Sequence, residues 1–240
     1  IDNWAVHSSY KRHKDQLLKN YEIIDAKSDL IYTVSQELTE SFSNKHVSWL
    51  PNAVDFDHFQ GIETVRELAD KPRPIIGFLG ILQDRIDTQL LEKIAKRYTD
   101  ATLVLAGPVW KGFPKEWLMK FPNIVFAGPV SYRNIPKFYN TFDVGIITYN
   151  NSEFIKSTNS MKYYEYLAAG LPVVSTWSGG IEKFTDVMYV AHTHDEFLDY
   201  IQKALDENTP QKEQERKSYV QDMTWKNRVD EILRTIDSLT

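Results

Sequence analysis

A short stretch of this chain has residue types that can hold a phosphate and a sugar ring together. A polar start at Thr158, Asn159 and Ser160 leads into Met161, Lys162, Tyr163 and Glu165, and the stretch closes with Ala168, Ala169, Gly170, Pro172 and the apolar pair Val173 and Val174. The order reads as a loop, a helix over 160–169, a glycine stop and a buried strand. A helix start offers free N–H groups and a positive dipole end to phosphate oxygens. Lys162 adds a full charge there, and Glu165 can accept hydrogen bonds from ribose hydroxyls. The plainer alternatives are a surface cation at Lys162 and a solvent-facing carboxylate at Glu165.

The surrounding pattern supplies the elements that must position these groups. Apolar runs at 75–80, 101–107, 124–126 and 144–148 read as buried strands. Ile86, Leu90, Leu91, Ile94 and Tyr98 mark one helical face. Further helices are read at 135–140 and 197–205, the latter opened by a capping box of Thr193 and Glu196, and a last one carries Trp225, Val229, Ile232, Leu233, Ile236 and Leu239. Nearer the start, 8–27 and 37–42 read as helices and 30–34 and 47–50 as strands, while prolines and a lost apolar period make 51–73 a linker. The fold class is therefore α/β, a Rossmann-like parallel sheet with helices on both faces, preceded by a partial α/β segment. In such sheets ligands sit beyond the strand C-terminal ends, so the loops after Leu79, Ala106, Phe126, Thr148 and Thr176 should line the site.

Composition narrows the function. The chain has 240 residues, 28 Lys and Arg against 33 Asp and Glu, and no cysteine. A mildly acidic balance with mixed signs argues against a nucleic-acid binder, and the missing thiols fit a reducing, cytoplasmic setting. No segment reads as a signal peptide or a membrane span. Ile1 in place of Met points to a processed product or a piece of a longer protein. Gly77 and Gly80 lack the third glycine of a dinucleotide fingerprint, which excludes NAD as a reading. His192 with His194 lacks further ligands, and Asp55 with Asp57 sits within the linker pattern, so a metal site is the minor reading. Trp110, Lys111, Phe113, Lys115, Trp117, Met119, Lys120 and Phe121 mix lysines with large apolar groups. They fit either a helix packed on the sheet edge, the preferred reading, or a peripheral membrane-surface contact through 110–121.

Several of these residues also carry a family likeness. Pro51, Asn52, Ala53, Val54 and Asp55 with Phe59, Gly77 with Gly80, Leu105 to Val109, Asp143 with Val144, and above all Lys162, Glu165, Tyr166, Leu167, Ala168, Ala169, Gly170, Pro172, Val173 and Val174 resemble retaining glycosyltransferases of the GT-B fold. The likeness is to the GT4-like group and its bacterial cell-surface polysaccharide branch. It implies an N-terminal acceptor domain, of which 1–50 would be the end, a linker at 51–73, a nucleotide-sugar-binding domain at 74–224, and a helix at 225–240 returning toward the N-terminal part. Glu165 matches the second glutamate of the family's Glu-x7-Glu motif and would hold the donor ribose. Ser157 stands where the first should be, and Glu153 is out of register. Asn159, Met161, Lys162 and Tyr163 would cradle the diphosphate, with Gly80 and Gly107 at the strand ends and Val130 and Tyr132 facing the base. Arg85 is the counterpart of the family's basic residue after the first strand of that domain, and with Lys162 it would stabilise the leaving diphosphate. A solvated helix-start residue is the plain alternative for Arg85.

The resemblance thus implies transfer of a sugar from a nucleoside-diphosphate sugar to a glycan or lipid-linked acceptor, with retention and without cofactor or metal, in the cytoplasm or at the inner face of the membrane. A noncatalytic nucleotide-sugar-binding or partner subunit is the second reading, and a sugar-nucleotide epimerase the third. No carboxylate pair of the kind a hydrolase needs stands out.

Overall fold

The computed structural model describes residues 1–239. The N-terminal part holds α1 (Lys14–Lys27), β1 (Ile31–Thr33), α2 (Gln36–Thr39) and β2 (Val47–Trp49), and β1 and β2 pair in parallel. The second part runs β3 (Ile75–Leu79), α3 (Thr88–Arg97), β4 (Thr102–Ala106), α4 (Lys115–Leu118), β5 (Ile124–Gly128), α5 (Ile135–Tyr139) and β6 (Val144–Ile147). It continues through α6 (Glu153–Lys156), α7 (Met161–Ala168), β7 (Val173–Thr176), β8 (Tyr189–Ala191), α8 (His194–Asp206), α9 (Pro210–Val220) and α10 (Trp225–Leu239).

Six strands form one parallel sheet in the order β5-β4-β3-β6-β7-β8. Every residue of β3, β4 and β6 is buried, which matches their unbroken apolar sequences and requires cover on both faces. The two faces have separate cores. Ile75 and Leu79 point into a cluster with Tyr139, Tyr166 and Leu167, whereas Ile76 and Phe78 join Leu90, Leu91, Ile94, Phe197 and Ile201. The chain leaves β3 toward β4 on one side and later returns to β6 on the other. The strand order reverses at β3 and β6, and such a reversal opens a crevice beyond the strand C-terminal ends.

Several boundaries differ from the sequence reading. Residues 8–13 form a 3-10 turn ahead of α1, α2 ends at Thr39, and α8 begins at His194 behind the expected Thr193 capping box. Helices α6 and α9 and strand β8 had no counterpart in that reading. Residues 51–73 contain no regular strand yet bury Ala53, Val54, Phe59 and Leu68, and the Val54 amide donates to the Met223 carbonyl at 3.0 Å. This stretch is therefore tied to the body of the sheet domain.

Candidate functional site

At the reversal point, Gly80 follows β3 and Gly107 follows β4. The Gly107 amide donates to the Gly128 carbonyl at 2.7 Å and the Gly80 amide to the Ala106 carbonyl at 2.8 Å. A Cβ on Gly107 would fall inside the Gly80 carbonyl, so the glycine lets two strand ends meet. A Cβ on Gly80 would lie 2.7 Å from Cε and 2.8 Å from Nζ of Lys162. The bare backbone of Gly80 thus leaves the space in which the lysine lies.

Lys162 reaches this space from the first turn of α7. Its Nζ donates to the Tyr149 hydroxyl at 3.2 Å and sits 5.5 Å from the Phe78 ring centre and 5.7 Å from that of Tyr149. Tyr149 lies just past the end of β6, and its hydroxyl is also 3.3 Å from Ser160 Oγ. Ser160 precedes α7 without capping it, so its hydroxyl satisfies none of the first-turn N–H groups. Burial alone would raise the Tyr149 phenol. The Lys162 charge, hydrogen bonds with Ser160 and Lys162, and the Arg85 charge outweigh it and hold the phenol below its ordinary value.

Arg85 approaches from the loop after β3. Its guanidinium is 5.3 Å from the Phe154 ring centre, and its Nε donates at 2.9 Å to the buried Gln83 side-chain oxygen once that amide is oriented oxygen-inward. His7 packs edge-on against the same Phe154 ring at 4.5 Å, and Ser8 Oγ donates to Asp84 Oδ2 at 2.6 Å. The N-terminal part therefore closes over the Arg85 loop. Among the described residues neither Arg85 nor Lys162 forms an ion pair with a carboxylate. Lys162 stands at the start of α7, and the Arg85 charge reaches the same Tyr149 phenol.

One turn along α7, Glu165 is 8 % exposed and its Oε2 accepts from the Tyr139 hydroxyl at 2.8 Å. Burial raises its carboxyl above the usual range, against the opposing pull of Lys162, the Tyr139 hydrogen bond and His58. A folded value above the unfolded one means the native state holds the proton longer, so stability falls as pH rises through the window between the two values. Glu165→Gln keeps the shape and the acceptor for Tyr139. It is expected to flatten this part of the stability profile and raise the unliganded thermal midpoint at pH 7, while weakening ribonucleotide binding. Thermal scans from pH 4 to 8 check this, and a lower midpoint at pH 7 would contradict it.

Tyr132 lies on the same side, half exposed, and burial together with the charges of Asp55 and Glu165 raises its phenol. His58 stacks on its ring at 4.2 Å with planes 9° apart. Its Nε2 lies 3.0 Å from the Tyr132 carbonyl, and a carbonyl can only accept, so that nitrogen carries the proton. Val130 is half-buried in the loop between β5 and this tyrosine.

Other expected site residues sit differently. Asn159 is buried, with Oδ1 accepting from the Asn52 amide at 2.8 Å and from the Tyr164 hydroxyl at 2.9 Å, so it ties the 51–73 stretch to α7. The Tyr163 ring is fully buried, its hydroxyl meets Ser178, and its amide donates to the Ser160 carbonyl at 3.3 Å. Met161 is exposed at the helix start. Ser157 Oγ donates back to the Glu153 carbonyl at 3.0 Å, and its hydroxyl is engaged by its own turn. Tyr149, Tyr139, His58 and Gln83 contact the expected site residues without having been assigned roles in sequence. The signals were there for Tyr149 in a loop after a buried strand, for Tyr139 at the end of the 132–139 stretch that carries the family likeness, and for Gln83 in the 80–85 stretch. Among the described residues no group of three His, Cys, Asp or Glu side chains could hold a metal ion.

Residues 85–234 match the family described as glycosyl transferase-like. The chain belongs to that family. A putative teichuronic acid biosynthesis glycosyltransferase, TuaH of Bacillus subtilis (strain 168), is 25 % identical over 167 residues, covering 67 % of this chain and 42 % of that protein. This chain therefore spans under half the length of that curated relative. Among solved structures, HepE of Anabaena in complex with UDP and glucose superposes with a TM-score of 0.76 at 15 % identity, covering 95 % of this chain and 68 % of that one. Sucrose-phosphate synthase from Thermosynechococcus elongatus gives 0.75 at 14 % identity, covering 99 % and 65 %. At such identities the likeness establishes the fold, and that fold is the one the GT-B resemblance implied.

Proposed function

We propose that this chain is the nucleotide-sugar-binding part of a glycosyltransferase that moves a sugar from a nucleoside diphosphate to a glycan or lipid-linked acceptor. The observation that carries the reading is Lys162 held on the Tyr149 hydroxyl and over the space left by Gly80, at the uncapped start of α7, with the Arg85 charge acting on the same phenol and neither cation in an ion pair among the described residues. Cleaving a sugar–phosphate bond builds negative charge on the departing diphosphate, and fixed donors aimed at that charge lower the barrier most. These groups supply it without a metal, and Glu165 stands one turn on for the ribose. Retention follows from the family resemblance. A complex of HepE with UDP and glucose on the same fold supports the choice of ligand class. An acceptor-binding half would complete the cleft, and the exposed Val229, Leu233 and Ile236 of α10 are the surface such a half would cover. A cytoplasmic location belongs to the same reading and fits a chain without cysteine. Among the described residues no helix is long and apolar enough to cross a membrane.

Thermal unfolding with UDP, GDP, ADP and their sugars tests the reading. A ligand held only by the folded state, at a hundred times its dissociation constant, adds about 2.7 kcal/mol of stability. At least one diphosphate should raise the midpoint while its nucleoside does not; no shift with any of them would contradict the proposal. Ser157 favours a second reading. Its hydroxyl is bound to its own backbone where the family motif has a carboxylate, which suits a subunit that binds the donor without transferring it. Turnover measured on a chain that includes the acceptor half separates the two.

A further inference from the structure

The connection from β4 to β5 has an outer face that the donor site does not use. Its inner side is anchored: Leu118 is fully buried and Phe113 nearly so, packed with Leu90, Leu91 and Ile94. The expected packing of this segment on the sheet domain is thus present. Yet Trp110 is 47 % exposed, Trp117 48 % and Met119 60 %, although the anchoring of α4 requires none of them at the surface. Large apolar side chains left exposed along one connection, with a lysine on the Trp117 ring, point to an interaction surface.

We propose that this face docks the protein on an anionic lipid bilayer, with Trp110, Trp117 and Met119 entering the headgroup boundary. Charge selects the partner. The whole chain has 28 basic against 33 acidic residues, whereas 109–121 carries Lys111, Lys115 and Lys120 against Glu116 alone. The sign is reversed locally, as attraction to an anionic surface requires. Geometry agrees. The Lys120 ammonium sits 4.6 Å from the Trp117 ring centre, and the Trp117 indole N–H donates to Glu92 at 3.1 Å, so the polar edge of the ring is held at the protein surface. Lysines that keep their charge in water while their stems cover apolar surface suit a membrane interface. Tryptophan and methionine suit a protein partner as well, but protein interfaces are depleted in Lys, and 109–121 has three lysines and no Arg. The inference does not rest on the donor site.

Co-sedimentation of the full chain with vesicles of phosphatidylcholine and phosphatidylglycerol (3:1), compared with phosphatidylcholine alone, tests it. Three lysines offset by Glu116 near an anionic surface should favour the mixed vesicles by about thirtyfold, declining with added salt. The double variant Trp110→Ser with Trp117→Ser, and separately the triple variant Lys111→Glu, Lys115→Glu and Lys120→Glu, should each lose that binding by at least about tenfold. Lys115 is half-buried over the Phe126 ring and Trp117 donates to Glu92, so a small drop in the thermal midpoint is expected, while the midpoint's response to nucleotide should stay as in the wild type. Equal binding to both vesicle types, binding unchanged in the variants, or self-association in sedimentation velocity that the tryptophan variant abolishes would each overturn the proposal. The last result would assign the face to a second copy of this chain.

Discussion

Lys162→Ala is expected to weaken binding of the preferred nucleoside diphosphate by about 10- to 100-fold, the loss of charge-assisted hydrogen bonds worth about 1.5–3 kcal/mol. Among the described residues the lysine forms no ion pair, and its contacts are the Tyr149 hydroxyl and the rings of Phe78 and Tyr149. Its charge also favours the buried Glu165 carboxylate, so the unliganded midpoint should fall modestly at neutral pH and less under acid conditions, where that carboxyl holds its proton. Calorimetric titration with the diphosphate, the monophosphate and the nucleoside locates the loss. It should be largest for the diphosphate and absent for the nucleoside. The variant also removes the charge that chiefly opposes burial at Tyr149, and ultraviolet titration should find that phenol ionising at higher pH. Because Arg85 and Lys162 would act on the same diphosphate, the double variant should depart from the sum of the single effects. Equal loss for nucleoside and diphosphate would move the lysine out of the phosphate site.

Gly107→Ala is expected to cost about 2–5 kcal/mol in urea unfolding, the combined scale of a strained backbone and an overpacked core. Gly107 has φ +131°, where a side chain is strained, and its Cβ would meet the Gly80 carbonyl, a backbone atom. The strand ends cannot separate without losing the hydrogen bonds from Gly107 to Gly128 and from Gly80 to Ala106. Gly80→Ala makes a contrast. The atoms in its way are the far end of Lys162, which can swing aside, so its fold should survive better than that of Gly107→Ala while nucleotide affinity falls. If both variants unfolded alike, the close approach at Gly80 would be structural only.

The central strands were legible because burial on both faces leaves an unbroken apolar signature in β3, β4 and β6. The short or polar elements were not. Helix α6 has four residues, and α9 buries only Arg216 and Val220, too few for a periodic stripe; Thr209 as cap and Pro210 at its first turn were the available signal. Strand β8 has three residues and is only partly buried at the sheet edge. Within the site, the helix-start lysine and the glutamate one turn later could be read because their spacing is local. What surrounds them could not. The Tyr139 hydroxyl on Glu165 and the Tyr149 hydroxyl on Lys162 join groups 26 and 13 positions apart, and Asn52 meets Asn159 across 107. Those pairs exist only because α7 packs beside α5, the loop after β6 and the 51–73 stretch. Asn159, placed by motif among phosphate contacts, uses its Oδ1 to tie the 51–73 stretch to α7, a link across 107 positions that sequence could not show.

The most direct test is a crystal structure of the chain with a bound nucleoside-diphosphate sugar. The diphosphate should lie within hydrogen-bond distance of Lys162 Nζ and the Arg85 guanidinium, with the ribose hydroxyls on Glu165 and the base beside Val130 and Tyr132. A nucleotide seated away from the β3–β6 crevice, or one in the crevice touching neither cation, would contradict the account.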